Sequence, residues 1–346
     1  LDIGASRFDL DARLPNYPDL ESGQATVSVL GDDLAQFRDL LGIAGDASGA
    51  FSLHGSLEVS AAGLNHLQAE LKTTLVRAVL SGTLGQGPDY NGSQFNLRLD
   101  GNNAHALMSS ISVDLLPPKP FIANTAFELV PGGVQLTAAG AELAGVKITA
   151  DGFVGNGDKQ PAATLNFQLS GANFVSAGAF MPDNAALNMF KPGQPFQAAG
   201  NMSAQVDGWH LNGIRGRIGT SELQLDGVVS SQPNANGSVI RFSLKSPSLS
   251  ELLVKPQGMA LPLGGFESSG EVTVAGEALR FEITARGDDI RPALAQIASF
   301  EPTVNTYKIK AVGQSRGGRV TLQQLDAETG NLEVTLTGQA GGSPEN

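Results

Sequence analysis

The chain has no cysteine, one tryptophan and three tyrosines in 346 residues. Without cysteine, neither a disulfide framework nor a thiolate metal site can form, and a thiol-free chain suits an oxidising compartment. Charge is scarce too, at 16% of residues, and basic side chains are the minority: 22 Lys and Arg against 34 Asp and Glu, a formal charge of −12. A nucleic-acid partner is not expected, because it calls for a basic stripe that displaces counterions. Electrostatic docking on an anionic bilayer would need a Lys/Arg cluster that is also missing. No apolar run approaches the roughly 20 residues of a spanning helix. The chain opens on Leu1 with neither Met nor a signal peptide, so a processed piece with its anchor upstream is the expectation.

Glycine, by contrast, is abundant, with 43 Gly beside 18 Pro and 41% apolar residues. That composition reads as all-β with many turns. Repeats decide the fold, and here several rows agree on one register. Phe51, Phe121, Phe196 and Phe266 are spaced by 70, 75 and 70, and Gly follows four residues on at Gly55, Gly200 and Gly270, with Thr125 in the remaining unit. Gly63, Gly133 and Gly208 form a second row, and Gly82, Gly152 and Gly227 a third. Strand ends are marked by Gly31, Gly101, Gly171 and Ser246, with Gly287 after a shorter unit. Apolar residues stand two, four and six positions before these markers, the period-two signature of a strand with one buried face.

Two residues beyond each marker stand Asp33, Asn103, Asn173, Ser248 and Asp289, all favoured helix N-caps. Helix-like stretches follow at Leu34–Leu41, Leu249–Leu253 and Ile290–Ile297, and Ser248 with Glu251 reads as a capping box. One unit is therefore four antiparallel strands and a short helix, placed in the first full unit at 51–60, 64–71, 75–84 and 94–100, with helix 103–110. Asn91-Gly92, Asn156-Gly157 and Asn236-Gly237 supply turns with positive φ before the fourth strand. The predicted fold class is mainly β: tandem repeats of about 70 residues forming an elongated, curled and twisted sheet with an apolar groove. It runs as one array over 1–338: 1–47 ends a preceding unit, 48–117, 118–192 and 193–263 are full units, 264–303 is short, and 304–338 is terminal. A disordered tail is expected at 339–346.

Each strand has a polar face that water can cover and an apolar face that something else must cover. The short helices are too few for that, leaving a sheet curled on itself or a groove filled by a ligand. Glycine at 82 and 227 takes an apolar-face position, which permits either a bulge or a helix packed over the gap.

Segments such as Gly49-Ala-Phe-Ser-Leu-His-Gly-Ser-Leu57, with Gly63-Leu64, Leu80-Ser-Gly82 and Phe95-Asn-Leu-Arg-Leu99, resemble the periplasmic repeats of AsmA-like proteins, relatives of TamB and the bridge-like lipid-transfer proteins. The resemblance recurs over most of 20–338 and rests on degenerate apolar and glycine spacing. It implies a periplasmic β-groove tethered upstream to the inner membrane, helping phospholipids reach the outer envelope, with partners in both membranes. The expected lipid-lining residues are Leu53, Leu57, Val59, Phe95, Leu97, Leu99, Leu165, Phe167, Leu169, Ile240, Phe242, Leu244, Phe281 and Ile283.

Catalytic signals are absent from the pattern. None of His54, His66, His105 and His210 pairs at metal-ligand spacing, and His54 falls on a polar strand face. Asp151, Asp207 and Asp226 recur before glycines where they punctuate turns or strands, and without aromatic platforms they make a poor glycosidase cleft. No nucleophile elbow, phosphate loop or dinucleotide fingerprint occurs in context. The expectation is a non-enzymatic lipid-transfer segment without metal or cofactor, the alternative a structural or adhesive β-scaffold with a closed, self-packed core.

Overall fold

A computed structural model of the chain describes residues 2–3, 6–15, 22–37, 48–60, 65–109, 116–155, 163–180, 190–254, 260–294, 304–317, 319–330 and 332–340. The protein is mainly β and antiparallel, and its chain divides into two compact units, 1–159 with 176–182 and 160–175 with 183–346. In the first unit the strands are β1 (Asp2–Ile3), β2 (Ser6–Arg13), β3 (Gln24–Gly31), β4 (Phe51–Val59) and β5 (Asn65–Thr73). They continue as β6 (Val76–Leu84), β7 (Gln94–Gly101), β8 (Phe121–Val130), β9 (Gly133–Leu143) and β10 (Val146–Gly155). The second unit holds β11 (Ala163–Gly171), β12 (Phe196–Gln205), β13 (Gly208–Ile218), β14 (Ser221–Ser230) and β15 (Val239–Ser246). It ends with β16 (Leu263–Ala275), β17 (Ala278–Asp289), β18 (Tyr307–Arg316), β19 (Arg319–Thr329) and β20 (Leu332–Ala340).

Within each unit every strand pairs with its neighbours in sequence, so both are meanders. The strands expected from 51 to 100 are β4–β7, with their ends shifted by two residues at most. The expected tail starts too early, because β20 carries the ladder through Ala340; residues 341–346 lie outside the described residues. So do Gly63, Leu64 and the Asn156-Gly157 turn. The two described Asn-Gly turns do hold glycine at positive φ, +82° at Gly92 and +87° at Gly237.

The described helical stretches are a 3-10 turn at Leu34–Phe37, α1 at Ala104–Ser109, a 3-10 turn at Phe174–Phe180, α2 at Leu249–Leu252 and α3 at Arg291–Leu294. The remainders of the stretches at 34–41 and 290–297 lie outside the described residues. Four of the five expected caps form. Asp33 Oδ1 accepts from the Ala35 amide at 3.0 Å, Asn103 Oδ1 from Ala106 at 3.0 Å, Asn173 Oδ1 from Val175 at 3.2 Å and Asp289 Oδ1 from Arg291 at 3.0 Å. Ser248 departs: its hydroxyl turns to Ser250 Oγ at 2.9 Å and caps nothing, so the capping box is not made. A helix of one turn leaves the serine a neighbouring hydroxyl that competes with the amide.

A clasp that the sequence reading missed closes four of the excursions between strands. The amide after the cap donates to the carbonyl of the returning chain: Leu34 to Gly49 at 2.9 Å, Ala104 to Lys119 at 3.0 Å, Phe174 to Gln194 at 2.7 Å and Ile290 to Asn305 at 3.0 Å. Asp33 and Asn173 reinforce it by also accepting from the returning Gly49 and Gly193 amides, each at 3.0 Å. Asn173→Ala removes both bonds at once and is expected to lower stability by about 1–2 kcal/mol. Asn173→Asp should recover most of that loss, read as the urea midpoint of unfolding.

Buried apolar side chains gather at the strand ends that carry these turns. Val29, Leu34 and Phe51 form one cluster, with Phe8, Val27, Leu53 and Leu71 packed against it. Phe174 meets Phe190 and Phe196 edge-on, with ring centroids 4.9 and 5.6 Å apart. Leu252 of α2, Leu143 and Val146 beside the β9–β10 turn, and Ile218 beside the β13–β14 turn are buried at the same end of the strands.

Candidate functional site

Cross-strand register turns the one-dimensional alternation into continuous apolar rows. Across β2–β6 one row runs Phe8–Val29–Leu53–Leu71–Ala78, and across β7–β10 it continues Leu99–Ala123–Ala141–Ile148. A parallel row runs Leu57–Leu67–Gly82–Phe95–Phe127–Leu136 over β4–β9. Nine strands at about 4.8 Å spacing make the first row roughly 38 Å wide. In the second unit Ile214–Leu225–Phe242–Gly270–Ile283–Ala311 spans β13–β18, and Leu211–Gly227–Ile240–Val272–Phe281–Gly313 lies beside it.

Within each unit the expected lining residues stand in register with that unit's own apolar rows, Val59 at the margin, opposite Asn65. Leu165, Phe167 and Leu169 of β11 pair with Met202, Gly200 and Ala198, and Leu244 pairs with Leu223 and Ser268. Of the fourteen, Phe95 alone is buried, at 7% exposure, with its ring 5.4 Å from that of Phe127; the rest are half-buried. Within the first unit a small cavity of about 170 Å³ opens on the face, floored by Ala123, Ala139, Ala141 and Ala150 and walled by Leu97 and Leu99.

Glycine keeps the rows level. Gly31 faces Phe51, Gly101 faces Phe121, Gly171 faces Phe196 and Gly287 faces Tyr307. A methyl group at Gly31, Gly101 or Gly287 would strike the facing ring. Away from the strand ends the pairing recurs as Gly82 with Phe95, Gly200 with Phe167, Gly270 with Phe242 and Gly313 with Phe281. At Gly82 the ladder is regular, and the β7 backbone and the Phe95 ring close onto the missing side chain. Gly227 instead lies opposite a β13 bulge between Leu211 and Ile214, and Gly152 opposite a β9 bulge beside Leu136.

The opposite face is a lattice of exposed ion pairs. Glu70 accepts from Arg77 at 2.6 Å and also holds Lys72, which together keep its carboxyl below the ordinary 4.5. Glu267 is lowered likewise by Arg286 and Lys245, and Asp207 by His210 at 2.8 Å. Exposed pairs of this sort contribute little to stability. His54 belongs here, its Nδ1 3.0 Å from Ser28 Oγ. Trp209 is 39% exposed and paired with Val229. The acidity of the Tyr307 phenol is pushed up by burial and then by Asp288. Among the described residues no three His, Asp or Glu side chains gather as a metal site, and no helix is long and apolar enough to cross a membrane.

Two serines missed by the sequence reading organise the turn ends. Ser93 Oγ accepts from the Gly85 amide at 2.8 Å and donates to the Tyr90 carbonyl, while Ser238 Oγ accepts from Ser230 at 2.8 Å and donates to Ala235. Their signal was Asn-Gly-Ser, present at both 91–93 and 236–238. Comparison with protein-family models, with curated proteins and with solved structures gives no match.

Proposed function

We propose that this chain is a non-enzymatic lipid-shielding segment whose apolar strand face covers phospholipid acyl chains. In this reading the strands form one continuous array with a period near 70 residues, and its apolar rows line a groove. The observation that carries the proposal is the half-buried state of the row residues, Leu97, Phe167 and Phe242 among them. An interlocked core leaves such side chains almost without exposure, whereas a face that receives hydrocarbon keeps them within reach.

The energetics suit transfer. Each methylene removed from water contributes about 0.8 kcal/mol, so one acyl chain gains roughly 10 kcal/mol in a fully apolar groove. The bilayer offers the same gain, which leaves the net transfer near zero, so cargo is neither trapped nor refused. Only a continuous apolar surface is needed, not a particular residue. The resemblance to AsmA-like repeats supports a periplasmic setting, with inner-membrane tethering upstream and partners in the inner and outer membranes.

The test is extraction of phospholipid from protein purified under mild conditions, quantified by mass spectrometry. Stoichiometric phospholipid is expected. Protein that emerges lipid-free and takes up none from vesicles of phosphatidylethanolamine and phosphatidylglycerol would leave a self-packed β-scaffold as the reading.

A further inference from the structure

We infer that a phospholipid held by the second unit lies along the strands, with its headgroup at the end where Trp209 stands and its chain methyls toward the capped end. The inference rests on the acyl-chain reading and adds a direction to it. At the capped end the apolar face is shut. Phe196, Ile218 and Ser221 are buried partners across β12–β14, as are Gly287 and Tyr307 across β17–β18. The hydroxyls there are already used: Ser221 donates to Ser246 at 2.8 Å, and Ser246 donates onward to the Ser248 carbonyl at 3.0 Å. A phosphate at that end would lose its water and gain no partner, which is strongly unfavourable.

At the opposite end, where connections join β12 to β13, β14 to β15, β16 to β17 and β18 to β19, the same face is open. Its last row runs Ala204–Trp209–Val229 and, further along, Val274–Leu279–Ser315–Val320. Trp209, Val229 and Leu279 are exposed, Leu279 at 46%, and Val206 in the β12–β13 turn is 70% exposed. Large apolar side chains thus pass from buried at one end, through half-buried in mid-strand, to exposed at the other. An indole suits such a boundary, its ring lying against hydrocarbon while its N–H meets the wet ester region. The ten residues of β14 span about 33 Å. One leaflet of bilayer hydrocarbon takes roughly 15 Å, so a chain has room to lie between the two ends.

Charge points the same way. At the open end β16–β19 carry Arg280, Arg316 and Arg319 against Glu277, whose carboxylate pairs with Arg316 at 2.6 Å. At the capped end the same strands carry Glu267, Asp288, Asp289 and Glu328 against Arg286 and Lys308. A phosphodiester is therefore attracted to the open end and repelled from the capped one, and the arginine fork matches its oxygens.

Trp209 is the single tryptophan and so reports on its own surroundings. The full chain is loaded from vesicles of phosphatidylcholine brominated either near the ester or near the terminal methyl, then separated from them, and the bound lipid is counted by mass spectrometry. Bromine quenches indole emission only near contact. Ester-proximal bromine should remove most of the Trp209 emission and methyl-terminal bromine little of it. Combining Trp209→Phe with Phe266→Trp moves the reporter to a half-buried position at the capped end, opposite Ser246 and Gly287, where the order should reverse. Should that variant fail to fold, the unsubstituted chain still decides. Equal quenching by the two lipids, stronger quenching by the methyl-terminal one, or bound lipid that leaves Trp209 unquenched would overturn the direction while leaving the acyl-chain reading in place. A chain that takes up no lipid at all brings down both.

Discussion

Replacing Phe51 by alanine is expected to cost about 3–5 kcal/mol, the range for truncating a large buried ring. Phe51 is 7% exposed and belongs to the cluster with Val29 and Leu34 that joins the start of β4 to the 3-10 turn. Its seat is the bare backbone of Gly31, directly across the ladder. A methyl group there strikes the ring and also lies 2.8 Å from Ser6 Oγ, so Gly31→Ala alone should cost about 1–3 kcal/mol by overpacking. The two changes should not add. Once the ring is gone only the Ser6 hydroxyl still crowds the methyl, so Gly31→Ala should cost less in the Phe51→Ala background than alone. Urea unfolding of the four proteins gives the coupling directly, and additive losses would show that ring and glycine are not one packing unit.

Leu97→Asp, Phe167→Asp and Phe242→Asp combined are expected to remove most co-purified phospholipid while strands and cooperative unfolding persist. All three lie mid-strand on the apolar face, Leu97 as a wall of the alanine-floored cavity. Because they are half-buried, a carboxylate at each can still reach water in the empty protein, and the stability cost should be modest. With an acyl chain in place that water is expelled, and the charge then opposes binding at several kcal/mol per site. The readout is lipid per chain by mass spectrometry beside the strand signal by circular dichroism. Full lipid retention would remove these rows from the proposed path. Loss of the fold would indicate that the positions are core, contrary to their exposure.

Several elements were legible because their physics is local. Strand faces follow from alternation within eight or nine residues, as in Phe95-Asn-Leu-Arg-Leu99, and that reading placed β4–β7 to within two residues. Caps at Asp33, Asn103, Asn173 and Asp289 involve amides two or three positions away, so residue type and place were enough. Ser248 failed for an equally local reason, the competing hydroxyl of Ser250.

By itself, then, the sequence determined the β class, the two unlike faces of each strand, the turn glycines and most of the caps, since each depends on neighbours along the chain. Tertiary structure alone decided which glycine lies beneath which aromatic ring, where the bulges fall, and that the buried clusters gather at the strand ends. The spaced rows of Phe and Gly visible in one dimension are partners across the ladder, Gly31 with Phe51 and Gly101 with Phe121. Pairing of that kind depends on register, and the intervening loops and turns set register at distances that no local pattern records.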